Sequence, residues 1–548
     1  MDTLPTAAPS PDTGAIPTFD AIVIGAGIAG MYMLHNLRQL GMSTRVFETG
    51  SDVGGTWYWN RYPGARFDSE SWTYGYAFSK DLLQEWDWKE HFAPQPETLA
   101  YLNHVADKFD LRRDIRFGAT VVAARFDEAA RQWEVTLETG ERARATFLVT
   151  ALGVLTAHTP PRIDGIETFE GVAHHTARWP KEEVRFEGKR VGVIGTGATG
   201  IQVIQTVAKT AGHLTVFQRR PNFSAPLHNS RISPEEMADI KARYDEIFSR
   251  CRETPGCFIH MNDPRSTFDV TPEEREALYE KLYAEPGFGI WQGNFRDMTT
   301  DLAANKLATD FIAKKIRERV NDPEVAEKLI PKDHGFGTRR VPLESGYFEA
   351  YNQPNVELVC LQETPIERIT PKGVKTTERE HELDILIYAT GFDAVTGAFD
   401  KIDIRGRDGL SLREKWGDGP RTFLGLQSEG FPNLLTLVGP HNAAARCNIP
   451  RCIEQNVEWT TSLFRHMRAH GLTYVEATRA AEDKWTADIE KLAENMLYKD
   501  VDSWMTGVNR NVEGKDVRRI LQYQGGAPAY RKACDEIAEA GYAGFTLA

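Results

Sequence analysis

No run of the sequence approaches the ~20 consecutive apolar residues of a membrane-spanning helix, so an integral membrane protein is excluded. Cysteine is scarce, with 6 in 548 residues, too few for a disulfide scaffold in a chain of this length and in keeping with a reducing cytoplasm, where the protein is expected. No basic run stands out, and 78 acidic against 65 basic side chains leave a formal charge of −13. A nucleic-acid sheath or a polybasic membrane anchor is therefore not expected. The first 18 residues contain no Lys or Arg and no long apolar stretch. They read as a flexible leader, not a secretory signal. Fixed-period repeats and further low-complexity tracts are also missing, and no metal site is expected. What is present is ordinary: 41% apolar and 26% charged residues, enough for about three or four domain-sized bodies.

Glycine matters by position. Three segments share one grammar: AIVIGAGIAG (21–30), RVGVIGTGATG (190–200) and LDILIYATGFD (383–393). Each is a continuous apolar strand running into a tight turn, and the first two lead into amphipathic helices and second strands, TRVFE (44–48) and LTVFQRR (214–220). This pattern predicts parallel sheets buried on both faces. In the first copy Gly25, Gly27 and Gly30 form GxGxxG. The first glycine permits the turn, the second lets backbone N–H groups approach a pyrophosphate, and the third allows close helix–sheet packing. Glu48 closes the second strand, where a carboxylate accepts hydrogen bonds from ribose hydroxyls. In the second copy, Gly195-x-Gly197-x-x-Gly200, the strand ends in Gln218-Arg219-Arg220. Arginine there pairs with a 2′-phosphate that a carboxylate would repel. The first fold is thus expected to bind a dinucleotide with free ribose hydroxyls, and the second NADP.

Between 228 and 332 the texture becomes charged and helical. Ser233-Pro234-Glu235-Glu236 and Thr271-Pro272-Glu273-Glu274 each predict a helix start in which the hydroxyl caps the third N–H and the second Glu reaches back. The fold class expected is α/β, two Rossmann-like dinucleotide-binding domains with a helical insertion. The leader spans 1–18, one domain 19–150 with 388–548, the second 151–227 with 333–387, and the insertion 228–332.

Two dinucleotide folds in one chain resemble the flavoproteins that bind FAD first and NADPH second. Disulfide reductases of that group carry a cysteine pair just after a Gly-Gly-Thr; here Gly54-Gly55-Thr56 leads into Trp57-Tyr58-Trp59-Asn60-Arg61-Tyr62-Pro63-Gly64 with no cysteine. Cys447 and Cys452 lie far downstream and read as incidental thiols. Phe169-x-Gly171-x-x-x-His175-x-x-x-Trp179-Pro180 is similar to the fingerprint of type I Baeyer–Villiger monooxygenases. The stretch from Gly54 to Asp68 is similar to their second signature. The resemblance spans residues 20–548.

That resemblance implies FAD and NADPH as cofactors and oxidation of ketones, cyclic ones foremost, to lactones or esters by dioxygen through a flavin C4a-peroxide. It implies Arg340, in Gly337-Thr338-Arg339-Arg340, as the catalytic arginine, with Asp68 fixing its orientation. Cofactor contacts are implied at Gly25, Gly27, Gly30, Glu48, Gly55, Thr56, Trp57, Asp68, Tyr74 and Val122. Further along the chain they are implied at Thr196, Gly197, Ala198, Thr199, Gly200, Gln202, Arg219, Arg220, Arg339, Arg340 and Trp504. Phe169, Gly171, His175 and Trp179 are implied at the domain hinge, with no acid–base role for His175. GPHNAAARCNIPRC (439–452) resembles the pocket-lining loop of the cyclic-ketone branch, and substrate contacts are implied at Leu155, Arg446 and Met505. Arg446 departs from the apolar residue expected there; it recognises an acidic ketone, pairs internally or points to solvent. S- or N-oxygenation and a non-oxygenating NADPH–flavin reductase stand as alternatives. A monomer or homodimer is expected.

Overall fold

The computed structural model describes residues 16–442 and 447–548; Arg446 and most of the leader lie outside them. The first apolar segment forms β1 (Thr18–Ile24), whose last four residues are buried. It begins inside the expected leader of residues 1–18, because Thr18 and Phe19 pair with Arg144 and Ala145. With β2 (Thr44–Phe47), β3 (Ile115–Arg116), β4 (Val121–Asp127), β5 (Gln132–Leu137) and β6 (Arg142–Thr150) it builds a mixed sheet, in the order β4-β5-β6-β1-β2-β3. Asp403–Arg405 extends the sheet beside β4, and Leu434–Thr436 pairs with β6. Val23 sits opposite Val46 and Val149, a parallel register buried at its centre. The expectation of a purely parallel sheet fails at β4, β5 and β6, which pair antiparallel. Residues 128–131 and 138–141 are turns too short for a crossover, so the chain reverses.

The second sheet is wholly parallel. Its strands are β7 (Val172–His175), β8 (Arg190–Ile194), β9 (His213–Gln218), β10 (Val356–Cys360) and β11 (Ile385–Tyr388), in the order β10-β9-β8-β11-β7. Both glycine turns feed helices, α1 (Ile28–Gln39) and α2 (Ala198–Val207). The third glycine of each motif is fixed by packing: a Cβ on Gly30 would overlap the carbonyl oxygen of Gly25, and one on Gly200 that of Gly195.

The insertion contributes α3 (Pro234–Ala242), α4 (Tyr244–Glu253), α5 (Pro272–Ala284), α6 (Leu302–Arg319) and α7 (Pro323–Leu329). At α5 the capping box is complete: Thr271 Oγ1 accepts from Glu274 N at 3.2 Å, and Glu274 accepts from Thr271 N at 2.9 Å. At α3 only half of it forms. Ser233 Oγ accepts from Glu236 N, but the Glu236 carboxylate meets His91 Nε2 at 2.7 Å instead.

The long helix α8 (Ile449–Ala469) packs along α1. Here the reading of Cys447 and Cys452 as incidental thiols is overturned, because the two form a disulfide. Asn448 is the N-cap, so Cys447 and Cys452 occupy the N′ and N4 positions, which the start of a helix brings face to face. No helix among the described residues is long and apolar enough to cross a membrane.

The two glycine positions of α2 make separable predictions. Gly200→Ala must displace backbone and should cost about 1–3 kcal/mol of stability. A Cβ on Gly197 meets nothing within 4 Å, so Gly197→Ala should leave the melting temperature unchanged. Thermal melts of the two variants check this, and equal destabilisation would refute it.

Candidate active site

The first glycine turn is closed over by Glu48. Its Oε2 accepts from Ala26 N and its Oε1 from Gly50 N, both at 2.7 Å. Burial raises its pKa, and the two backbone bonds pull it down. Each carboxylate oxygen carries two lone pairs, so both retain one for a hydroxyl donor. Gly27 faces Gly55, whose Cα would lie 3.3 Å from an added Cβ. Thr56 and Trp57 start the short helix that follows. Across the sheet, the β4–β5 register shifts between Val121 and Ala123, so Val122 drops out of the ladder and is 37% exposed. A carboxylate at the strand end, an approachable glycine turn and backbone freed from pairing suit an adenine dinucleotide with free ribose hydroxyls.

The second turn is open where the first is covered, since Gly197 and Ala198 are both exposed. Thr196 Oγ1 donates to Arg220 O at 2.9 Å and ties the turn to the end of β9. Around that end collect Arg219, Arg220, Arg339 and Arg510. Arg339 and Arg220 share Asp333, at 3.1 and 3.5 Å. Arg510 and Arg518 pair with Asp502, at 3.0 and 2.8 Å. Five arginines thus face two aspartates. Partial enclosure, then Arg220, Arg510 and Arg339, depress the Arg219 pKa. The Arg339 Nε is buried without a hydrogen-bond partner among the described residues. Excess positive charge and an unspent donor fit a phosphate.

Between the two turns stands the pair expected from sequence. Arg340 Nη1 donates to Asp68 Oδ2 at 2.7 Å and to Val341 O at 2.9 Å, and its guanidinium lies 5.0 Å from the centre of the Phe288 ring. Asp68 is buried, whereas the Arg340 side chain remains 32% exposed, which leaves donors free for a ligand. Burial raises the Asp68 pKa and Arg340 opposes it. Behind the pair is an aromatic wall. Trp57 Nε1 donates to the Tyr74 hydroxyl at 3.1 Å, and Tyr74 stacks on Phe67 at 4.2 Å. Gln202, from α2, reaches into the same place: its Oε1 accepts from Tyr62 at 2.9 Å and its Nε2 donates to Arg66 O at 3.0 Å.

The fingerprint residues cluster elsewhere. Phe169 packs beside Gly171, just ahead of β7. His175 ends β7, with Nδ1 accepting from Ala177 N at 3.1 Å and Nε2 at 3.2 Å from Thr390 Oγ1. Thr390 donates its own proton to Thr159 O, so His175 is the neutral Nε2–H tautomer. Burial, then the nearby His158, lowers its pKa to about 4. It joins the end of β7 to Thr390 and, through it, to Thr159. Trp179 is buried against Phe186, and its neighbour Arg178 lies over the Trp59 ring at 4.4 Å. Trp504 caps a short apolar cluster with Leu155, Ala394, Val395 and Leu521, and Met505 is buried beside Tyr498. Leu155, Trp504 and Met505 are therefore gathered on one side; the remaining substrate candidate, Arg446, lies outside the described residues.

Residues 20–235 match the flavin-binding monooxygenase-like (FMO-like) family. The chain is 48% identical to 2-oxo-Δ3-4,5,5-trimethylcyclopentenylacetyl-CoA monooxygenase of Pseudomonas putida, over 97% of this chain and 99% of that one. It is 45% identical to the methyl acetate-forming acetone monooxygenase of Gordonia sp. (strain TY-5), over 97% and 99%. Turning acetone into methyl acetate inserts an oxygen beside a carbonyl. The chain belongs to the Baeyer–Villiger monooxygenases. The same family supplies a close structural match, a crystal structure of OTEMO in complex with FAD and NADP, with a TM-score of 0.94, 48% identity, and coverage of 97% of this chain and 100% of that one.

In this Baeyer–Villiger chain several site residues escaped sequence reasoning. Tyr62 and Asp333 lie inside or beside recognised motifs and could have been drawn from them. Arg510 carried no signal, because only the path of the C-terminal segment brings it to Arg219. Two outcomes follow. Arg339→Ala should raise KM for NADPH by about 10–100-fold, the worth of a charge-assisted hydrogen bond, and leave KM for NADH nearly unchanged; equal effects on both would refute the phosphate role. His175 and the buried His441 are both held to about 4, chiefly by burial, whereas an unfolded histidine titrates near about 6.5. The stability they contribute is complete above that value and drains away as pH falls towards 4. Melting temperatures should drop below about pH 6.5, less steeply in His175→Gln and His441→Gln.

Proposed function

We propose that this enzyme oxidises ketones, cyclic ones foremost, to lactones or esters, consuming NADPH and dioxygen and releasing NADP+ and water. FAD occupies the first glycine turn and NADPH the second. On this reading, residues 19–150 with 388–548 form the FAD unit, 151–227 with 333–387 the NADP unit, and 228–332 the insertion. The observation that carries the proposal is Arg340, anchored by Asp68 and partly exposed where the two units meet.

Bound FAD supplies the redox chemistry that activates dioxygen. The chain supplies electrostatics and position. Arg340 directs N–H donors at the oxygen on which negative charge gathers as the ketone carbon becomes tetrahedral. Asp68 fixes the plane of the guanidinium and balances its charge, so those donors need not reorganise during reaction. Arg219, Arg220 and Arg339 hold the 2′-phosphate of the reductant, and Glu48 the ribose on the flavin side. Trp57 and Tyr74 form the wall beside Asp68. Trp504, with Leu155 and Met505, closes the far side against water, and Arg446 is the remaining candidate for contact with substrate.

Arg340→Ala should still permit reduction of bound flavin by NADPH, while ester formation falls about 100-fold or more, the scale of losing a donor to a developing oxyanion. Stopped-flow absorbance measures the first and product chromatography the second. Lactone or ester formation at an undiminished rate would overturn the assignment. Arg340→Lys, which keeps a cation beside buried Asp68, controls for loss of folding.

A further inference from the structure

Three cysteines that the reaction does not use meet at one point. Cys257 follows α4 in the insertion, Cys447 precedes α8, and Cys452 lies in the first turn of α8. All three are buried, and their sulfur atoms lie within 4.8 Å of one another. Asn448 N donates to Gly256 O at 2.8 Å, which clamps the two backbones together next to the sulfurs. Cys447 and Cys452 are bridged, and the Cys257 thiol is free. The Cys257 thiol lies within 4.8 Å of both bridged sulfurs, close enough to exchange with the bridge once it swings into line with the bond it attacks.

The surroundings choose the direction of attack. Cys452 lies in the first turn of α8, at the positive end of the helix dipole where a thiolate is favoured, so it is the better leaving sulfur and Cys447 the sulfur attacked. Burial pushes the Cys257 thiol up, and Arg531, Arg451 and Arg252 pull against it. These arginines lower the cost of forming the attacking thiolate.

We propose that Cys257, Cys447 and Cys452 form a thiol–disulfide site in which the bridge moves between Cys447–Cys452 and Cys257–Cys447. The Cys257 thiolate attacks Cys447 Sγ. The Cys257–Cys447 bond forms as the Cys447–Cys452 bond breaks, and the electron pair departs on Cys452, which takes up the proton that Cys257 lost. No electron is gained or lost overall, so the step needs no external oxidant. The first bridge spans five positions within one helix start. The second ties the insertion to α8, whose N-cap Asn448 is anchored on Thr73 beside Tyr74. Exchange therefore converts a local staple into a tether between the insertion and the wall of the site. This inference is independent of the ketone reaction.

The test uses the holoenzyme, equilibrated in glutathione redox buffer, quenched with acid, alkylated and digested without reduction. Peptide mass spectrometry should find two linked pairs, Cys447–Cys452 and Cys257–Cys447, with the alkyl label on Cys257 in the first population and on Cys452 in the second. Cys452→Ser, oxidised with diamide, should lose the label from Cys257 and contain only the Cys257–Cys447 pair. Cys257→Ser should keep the Cys447–Cys452 pair and lack the other. Full labelling of Cys257 in the wild-type enzyme across the buffer series, with no linked peptide containing it, overturns the proposal whether or not the variants fold.

Discussion

The ion pair between Asp68 and Arg340 joins residues 272 positions apart, and most of the site's order can be traced to it. Burying a carboxylate is costly unless it is paired, so once Phe67 and Tyr74 wall off Asp68, a cation has to arrive. The hydrogen-bonded one, Arg340, arrives on the turn after the helical insertion, so that is where the insertion must deliver the chain. Arg340 in turn is held at Asp68, at the Val341 carbonyl and on the Phe288 ring, the last from the insertion itself. The segment carrying Asp68, the turn carrying Arg340 and the insertion are thus pinned by one guanidinium that still keeps part of its surface exposed.

Charge outside this pair is organised on the same economy. The chain is acidic overall, yet five arginines crowd the end of β9 with two aspartates between them. Like charges this close repel, and the cluster persists because Asp333 and Asp502 each hold more than one of them. On the proposed reading, a dianionic phosphate completes a balance the protein leaves unfinished. Net charge carries no hint of this, since the imbalance is local.

Elements governed by neighbours in sequence were legible; those governed by distant neighbours were not. The two glycine turns, Glu48 and the arginines after β9 belong to strand–turn–helix units, the Thr271 capping box to a single helix start, and spacing alone exposes them. The meander of β4 to β6 broke the expected parallel pattern because its turns, not its apolar content, set strand direction. The half-formed cap at Ser233 reflects His91, remote in sequence, outcompeting the cap backbone for Glu236. Cys447 and Cys452 looked incidental as long as the start of α8 was unplaced; the N′ and N4 positions made them partners. Asp68 and Arg340 were found by likeness to a family, and no local pattern would have paired them.

Gln202 grips both Tyr62 and the Arg66 carbonyl, just ahead of Asp68, while Gly64 lies against the backbone of the same helix with no room for a side chain. The segment that carries the carboxylate is therefore geared to α2, the helix that follows the second glycine turn. A pivot of the second sheet moves this lever and turns the arginine's aim with it, which on the proposed reading indexes electron delivery and oxygen transfer to each other.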